Sequence, residues 1–591
     1  MKSFNLTALI LFFLSCSNPQ ETKSPSQSPA DFFEEYYEAY LRMDPLTATF
    51  LGDFRFNDTL PNELSEAVRA ERIELSKRYL EKAKKYHLEE LNREDALSMR
   101  LLTYECELQL KSDLIEYPEE YFPINQMRGF HSTYGTLASG RAFHPFRNTK
   151  DYEDWLSRLE DYIPIIDTCI SNMRKGISEG YVLPTPLIEK LIPQLESLAT
   201  LPVEENVVYS PIKIIPDSIS PEDRQRLASA YKEIGITIIN KFQELTDFVK
   251  TDYRTAGRSS SGIGALKNGD KWYKYLIENY TTTDLTADEV FDIGMNEVKR
   301  IREEMEWVKD QVGYKGSLIS FFDFVRENPE LKPFDDPQQV IDNFYAIYER
   351  VKPEVESIFN IQPKTQFEVR RTEKFKEATA SNQYWPGSLD GSRPGIFYVP
   401  IPDVTAYNVY RAENLFLHEA IPGHHFQISI QRENQKLPKF RRMLFYGSYV
   451  EGWGLYTESL GKELGLYKDP YQYFGMLSSD MHRAIRLVVD AGIHVKGWTR
   501  DEAIQFSLDN EAASRDKIIK EIERYMARPG QALSYKVGQL KILELRKKAE
   551  EVLGERFDIK GFHDTILLTG SVPLSILEEE VDAWIREVKG T

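Results

Sequence analysis

Apolar positions recur with a helical period over most of the chain. Between Asp31 and about Lys111, Phe32, Phe33, Tyr36, Tyr37 and Tyr40 fall three and four residues apart with acids between them, which predicts amphipathic helix. Asn92-Arg93-Glu94-Asp95 starts a helix that runs on through Leu97, Met99, Leu101 and Leu102. Residues 113–148 mix Pro, Gly and aromatics and predict an irregular connection. Helical patterning resumes at 150–176, 184–200, 221–250, 284–313 and 337–358. Ser220-Pro221-Glu222-Asp223 and Thr286-Ala287-Asp288-Glu289 each place a capping hydroxyl before first-turn acids.

A period of two occurs in one region. Gln366-Phe367-Glu368-Val369-Arg370 alternates, and Ile396-Phe397-Tyr398-Val399-Pro400 is a second short run entered through Arg393-Pro394-Gly395. Asn382 to Gly387 between them reads as a loop. After residue 408 the pattern is helical almost to the end. The expectation is a mainly α protein with a small antiparallel sheet beside the helix that carries the chemistry. No internal repeat divides the chain, so residues 31–591 read as one large domain, with two lobes around a cleft.

Composition narrows the function. With 74 Lys+Arg against 93 Asp+Glu, the formal net charge is -19 and there is no basic stripe, which argues against a nucleic-acid partner. At the N-terminus, Lys2 precedes the apolar run Leu6 to Leu14 and then Ser15-Cys16. This reads as a lipoprotein-type export signal over residues 1–16, too short to span a bilayer. Residues 17–30, rich in Ser, Pro, Gln and Asn, read as a flexible tether. The expected location is the bacterial envelope, periplasm or cell surface, with the membrane reached only through lipid on Cys16. Cys106 and Cys169 remain, and either a disulfide or two buried thiols fits them.

The chemistry concentrates in His418-Glu419-Ala420-Ile421-Pro422-Gly423-His424-His425. Three of the nine histidines stand within eight residues, and Glu419 follows the first, as in the His-Glu-x-x-His helix of zinc peptidases. Here the position four after His418 is Pro422. In a straight helix, residues six or seven apart are separated by about 9 to 10.5 Å along the axis, too far to share one ion. Proline and glycine do not belong in a helix interior, however, so the segment must kink or bulge. A two-residue bulge at Pro422-Gly423 would bring His424 into the second-ligand position, with His425 as its competitor. A third ligand is sought in Tyr449-Val450-Glu451-Gly452-Trp453-Gly454-Leu455-Tyr456-Thr457-Glu458, where Glu451 and Glu458 share a helix face. Either acid could bind metal while the other orients a histidine.

His418 to His425 followed by Glu451-Gly452-Trp453 resembles the bacterial domain-of-unknown-function 885 family. The resemblance takes in Asp390-Gly391-Ser392-Arg393-Pro394-Gly395, the run Arg486 to His494 and the run Arg528 to Gln539, and covers nearly all of residues 30–588. That family is similar in plan to helical zinc peptidases of the thimet oligopeptidase and carboxypeptidase Taq type. The resemblance implies a zincin-like helical domain, a short-peptide substrate, and Glu451 as third ligand through its Tyr449-Val450-Glu451 context. The metal is expected to be one zinc, although such a ligand set also accepts other divalent ions. Glu419 is the expected general base, and Tyr535 and His494 are candidates for the oxyanion. Arg393 and Tyr398 are candidates to bind an extended peptide along a sheet edge. Two other readings share these residues: a zinc amidase on a non-peptide or cell-wall-derived substrate, and a lipid-anchored binding protein without catalysis.

Overall fold

The computed structural model describes residues 27–140, 142–374, 377, 380–387 and 393–590. The signal segment, Cys16 and most of the tether lie outside the described residues, as do Asp390, Gly391 and Ser392. The protein is mainly helical, with one three-stranded sheet.

Helices at Thr149–Glu179, Thr185–Ala199, Pro221–Phe248 and Pro337–Ile358 follow the apolar periodicity closely. The oxygens of Ser220 and Thr286 accept from the backbone N–H groups of Asp223 and Glu289, and Glu289 closes a full capping box. The segment expected to be irregular holds a nine-residue helix, Phe130–Ala138. Gly129, at φ 134°, starts it without a side-chain cap, so no Ser, Thr or Asp announces it.

Seven helices position the site: α1 (Ala287–Gln311), α2 (Ala412–Glu419), α3 (His424–Glu433), α4 (Gly447–Ser459), α5 (Pro470–His494), α6 (Arg515–Ala527) and α7 (Ser534–Leu553). The strands are β1 (Phe367–Arg371), β2 (Gln383–Trp385) and β3 (Gly395–Val399), in the order β1-β3-β2. β1 runs parallel to β3 and β2 antiparallel, so the sheet is mixed and not antiparallel throughout. The correction comes from the segment read as a loop, which supplies β2. β3 is therefore the central strand. Its Tyr398 is opposite Arg370 on one side and Gln383 on the other, so β3 offers no free edge to a peptide.

Two buried apolar clusters meet at α5. Leu487 and Ala491 belong to one, Val488 and Val489 to the other. Cys106 and Cys169 are both buried free thiols. No described helix is long and apolar enough to cross a membrane.

α4 and α7 cross at glycines. A Cβ on Gly452 would meet Gly538 Cα at 2.6 Å, so only two glycines allow this approach. α7 is also fixed by the buried Lys536, whose Nζ lies 2.6 Å from Asp480 Oδ1 and 2.8 Å from Glu297 Oε2. Burial works against the charged form of Glu297, but Arg300 and Lys536 outweigh it and hold it down to about 2. A lowered folded-state pKa stabilises above the unfolded carboxylate value, and the contribution is lost as pH falls through about 2. Lys536→Met would leave the buried acids without this cation. The expected cost is about 3–5 kcal/mol, read as a lower urea midpoint at neutral pH. An unchanged midpoint would mean that the network adds nothing to stability.

Candidate metal centre

The helix through His418 stops at Glu419, and the next begins at His424. The interruption is Ala420 to Gly423, longer than a two-residue bulge, and its Ile421-Pro422 bond is cis. Its tertiary fastenings are specific. Trp453 Nε1 donates to Pro422 O at 2.9 Å. Thr457 Oγ1 donates to Leu417 O at 2.9 Å, satisfying a carbonyl near the end of α2. A Cβ on Gly423 would stand 2.0 Å from His418 O, so the chain can fold back this tightly only with glycine there.

The break turns His424 back toward His418. Their rings lie 4.7 Å apart, nearly perpendicular. Glu451 on α4 meets both: its Oε2 is 3.5 Å from His418 Nε2 and 3.6 Å from His424 Nε2. Ligand atoms from these three residues lie within 4.8 Å of one another. Gly454, one turn along α4, lets the His418 ring lie against that helix, since a Cβ there would meet the ring at 2.7 Å.

The spacing distinguishes two uses of such a cluster. Charge-assisted N–H···O bonds close to about 2.7–2.9 Å. Donor atoms sharing a tetrahedral ion at about 2.1 Å stand about 3.4 Å apart. The observed 3.5 and 3.6 Å match the second case. Glu451 Oε2 is buried and makes no hydrogen bond among the described residues, which leaves it free for a cation. The donor set, two imidazoles and one carboxylate, suits zinc and related divalent ions.

Glu458, the alternative ligand, stands behind His418. Its Oε1 is 2.9 Å from His418 Nδ1, and its Oε2 accepts from Asn414 Nδ2 at 3.1 Å. This carboxylate–histidine arrangement turns Nε2 toward the cluster. Burial opposes the charge on Glu458, but Arg483 and His418 hold its carboxyl below the usual range. Burial likewise opposes charge on Glu451, and His418 and His424 hold it well below. His418 would be lowered by burial, but Glu451 and Glu458 push it up to about 9.

His425 points elsewhere. One residue along α3 turns the side chain about 100°. Its Nδ1 is 3.0 Å from Tyr384 Oη on β2, its ring packs on Phe367, and burial lowers it to about 4.

Glu419 directly follows His418 and is half-buried. Burial raises its carboxyl above the ordinary value, against the pull of His418 and His424. Tyr535 lies within the field of Glu451 and under the Arg486 guanidinium, 4.5 Å from ring centre to Cζ. Burial, with Glu451, raises the phenol and keeps it a proton donor.

The other candidates are not brought into the cluster. His494 Nδ1 accepts from the Ile263 N–H at 3.2 Å, and its Nε2 donates to Tyr525 O at 3.1 Å. With both nitrogens committed to backbone, and burial holding it down to about 3, it joins α5 to its neighbours. Arg393 is exposed and donates to Pro386 O, just after β2. Tyr398 packs by Trp385 and Arg370 on the sheet. Asn414, Trp453 and Thr457 emerge as supports of the centre. Trp453 stood in the Glu451-Gly452-Trp453 motif without a role assigned to it, and Asn414 had a signal in standing four residues before His418 on the same helix face.

A family model described as "Bacterial protein of unknown function (DUF885)" matches residues 45–581. A solved structure from Colwellia psychrerythraea, described as a "putative lipoprotein", is 27% identical with a TM-score of 0.85, over 95% of this chain and 99% of that one. Another from Shewanella oneidensis, described as a "putative lipoprotein of unknown function", is 19% identical with a TM-score of 0.75, over 94% and 99%. At that identity the second shows the shared fold alone. The curated proteins give no match.

Proposed function

This chain belongs to the bacterial family of unknown function DUF885, and on that footing we propose that it is a metal-dependent hydrolase cleaving peptide bonds of short peptides. His418, His424 and Glu451 are the proposed ligands of one zinc ion, and Glu419 the general base. The observation that carries the reading is the co-ligand spacing of two imidazole nitrogens around a buried carboxylate oxygen that has no hydrogen bond among the described residues, with Glu419 next to His418 in the chain.

A divalent ion held there would polarise a substrate carbonyl and ease deprotonation of water. Glu419 would accept the water proton and hand it to the departing amine. Tyr535, kept protonated, would donate to the oxygen on which negative charge develops. Glu458 would hold the His418 ring with Nε2 facing the ion. Glu419 is what favours this over a purely structural ion, because it directly follows His418 in the chain without being one of the converging ligands. Export and lipid attachment at Cys16 are part of the proposal. They rest on Ser15-Cys16 after the apolar run and on the description of the Colwellia protein as a lipoprotein.

The test is to incubate the mature protein from about residue 30 with a diverse mixture of short peptides and read the products by mass spectrometry. Cleavage should stop with a chelator and return with zinc. A folded, metal-loaded sample that cuts no peptide would overturn the proposal.

A further inference from the structure

α5 brings cations to the centre that the hydrolytic reading leaves unused. Arg483 and Arg486 stand three residues apart and so share a helix face. Arg483 Nη2 lies 3.6 Å from Glu458 Oε1, the carboxylate behind His418. Arg486, 6% exposed, donates from Nε to Tyr525 Oη and from Nη2 to Glu521 Oε2, both at 3.1 Å. Its guanidinium covers Tyr535 on α7, the helix that crosses the Glu451 helix α4 at Gly538 and Gly452. The arginine pair is therefore linked at both ends to the residues of the centre.

These two side chains are not satisfied. Arg486 Nη1 and Arg483 Nε are buried and have no hydrogen-bond partner among the described residues. Buried guanidinium donors are ordinarily paired, and a single unpartnered Nη1 amino group can still donate to a carboxylate oxygen. Arg411, Arg483, Arg486, Lys517 and Arg524 are interleaved with five acids, Glu419, Glu451, Glu458, Glu511 and Glu521.

We propose that Arg486, through its open Nη1 and with Tyr535 beside it, binds a carboxylate of the substrate next to the His418–His424–Glu451 cluster. The proposal rests on the peptidase reading and narrows it to peptides whose bond to be cut lies near a carboxylate. Two sources supply that group: the peptide's own C-terminus, or an Asp or Glu side chain.

The test uses the full chain, zinc-loaded and carrying Glu419→Gln so that peptide is not consumed. Calorimetry compares one tetrapeptide as free acid, as C-terminal amide, and as amide with Glu at the last position. At least one carboxylate-bearing form should bind about 10- to 100-fold more tightly than the neutral amide, and Arg486→Gln should erase that difference while one zinc per chain is retained. Tight binding of the free acid alone identifies the C-terminus. Tight binding of the Glu amide alone identifies a side chain. Should Arg486→Gln lose its zinc, Arg486→Lys keeps the charge without the fork and should still reduce the preference. A preference that survives both substitutions overturns the proposal, as does equal binding of all three peptides, which leaves the peptidase reading standing. Failure of every peptide to bind overturns both.

Discussion

Replacing Glu419 by glutamine is expected to leave one zinc ion per chain and to lower peptide hydrolysis by about 10²- to 10⁴-fold. The substitution keeps the size of the side chain and removes its basicity. Glu419 is not one of the converging ligands, so metal stoichiometry should not move. Burial raises its carboxyl, against the pull of His418 and His424. The amide can still donate and accept hydrogen bonds but cannot take a proton from water. Metal content by mass spectrometry and turnover on any cleaved peptide are the paired measurements. A rate within a few-fold of the parent, at full metal occupancy, would assign the base to another group. Loss of the metal would instead make Glu419 part of its binding.

The sequence carried local order well and the meeting of distant segments poorly. Helices such as Pro221–Phe248 declare themselves because Ser220, the first-turn acids and the apolar stripe all lie within one short window. β2 does not, because Gln383-Tyr384-Trp385 is three residues between turn-formers and becomes a strand only by pairing with β3. The metal centre follows the same logic. His418, Glu419 and the two following histidines lie within eight residues, so their chemistry is legible. The choice between His424 and His425 depends on how the chain leaves α2, and that exit is held by Trp453 and Thr457 from another helix. His494 misleads for the converse reason. A histidine in a distinctive run suggests chemistry, yet Ile263 and Tyr525, far apart in the chain, take both its nitrogens. Arg483 and Arg486 gain meaning only when α5 comes to lie beside α2 and α7.

His424→Ala should abolish tight zinc binding, whereas His425→Ala should retain it at a cost in stability. Loss of a partner that only orients a ligand weakens metal affinity by about 10- to 100-fold, so loss of a ligand is expected to exceed about 100-fold. Without His424, Glu451 Oε2 keeps only His418 as a neighbouring ligand, and two donors do not hold zinc against water. His425 belongs to a different set of contacts, with Tyr384 Oη and the Phe367 ring, on the face of α3 turned to the sheet. Truncating it leaves the Tyr384 hydroxyl without its ring-nitrogen neighbour and opens a void against β1, for which about 1–3 kcal/mol is expected. Competition with a chromogenic chelator gives the affinities and urea unfolding gives the stability, so each variant reports on both properties. Were the results exchanged, with His425→Ala losing zinc and His424→Ala keeping it, α3 would have to begin with a different rotation in the metal-bound protein. The Trp453–Pro422 hydrogen bond that fixes its present start would then have to give way when the ion binds.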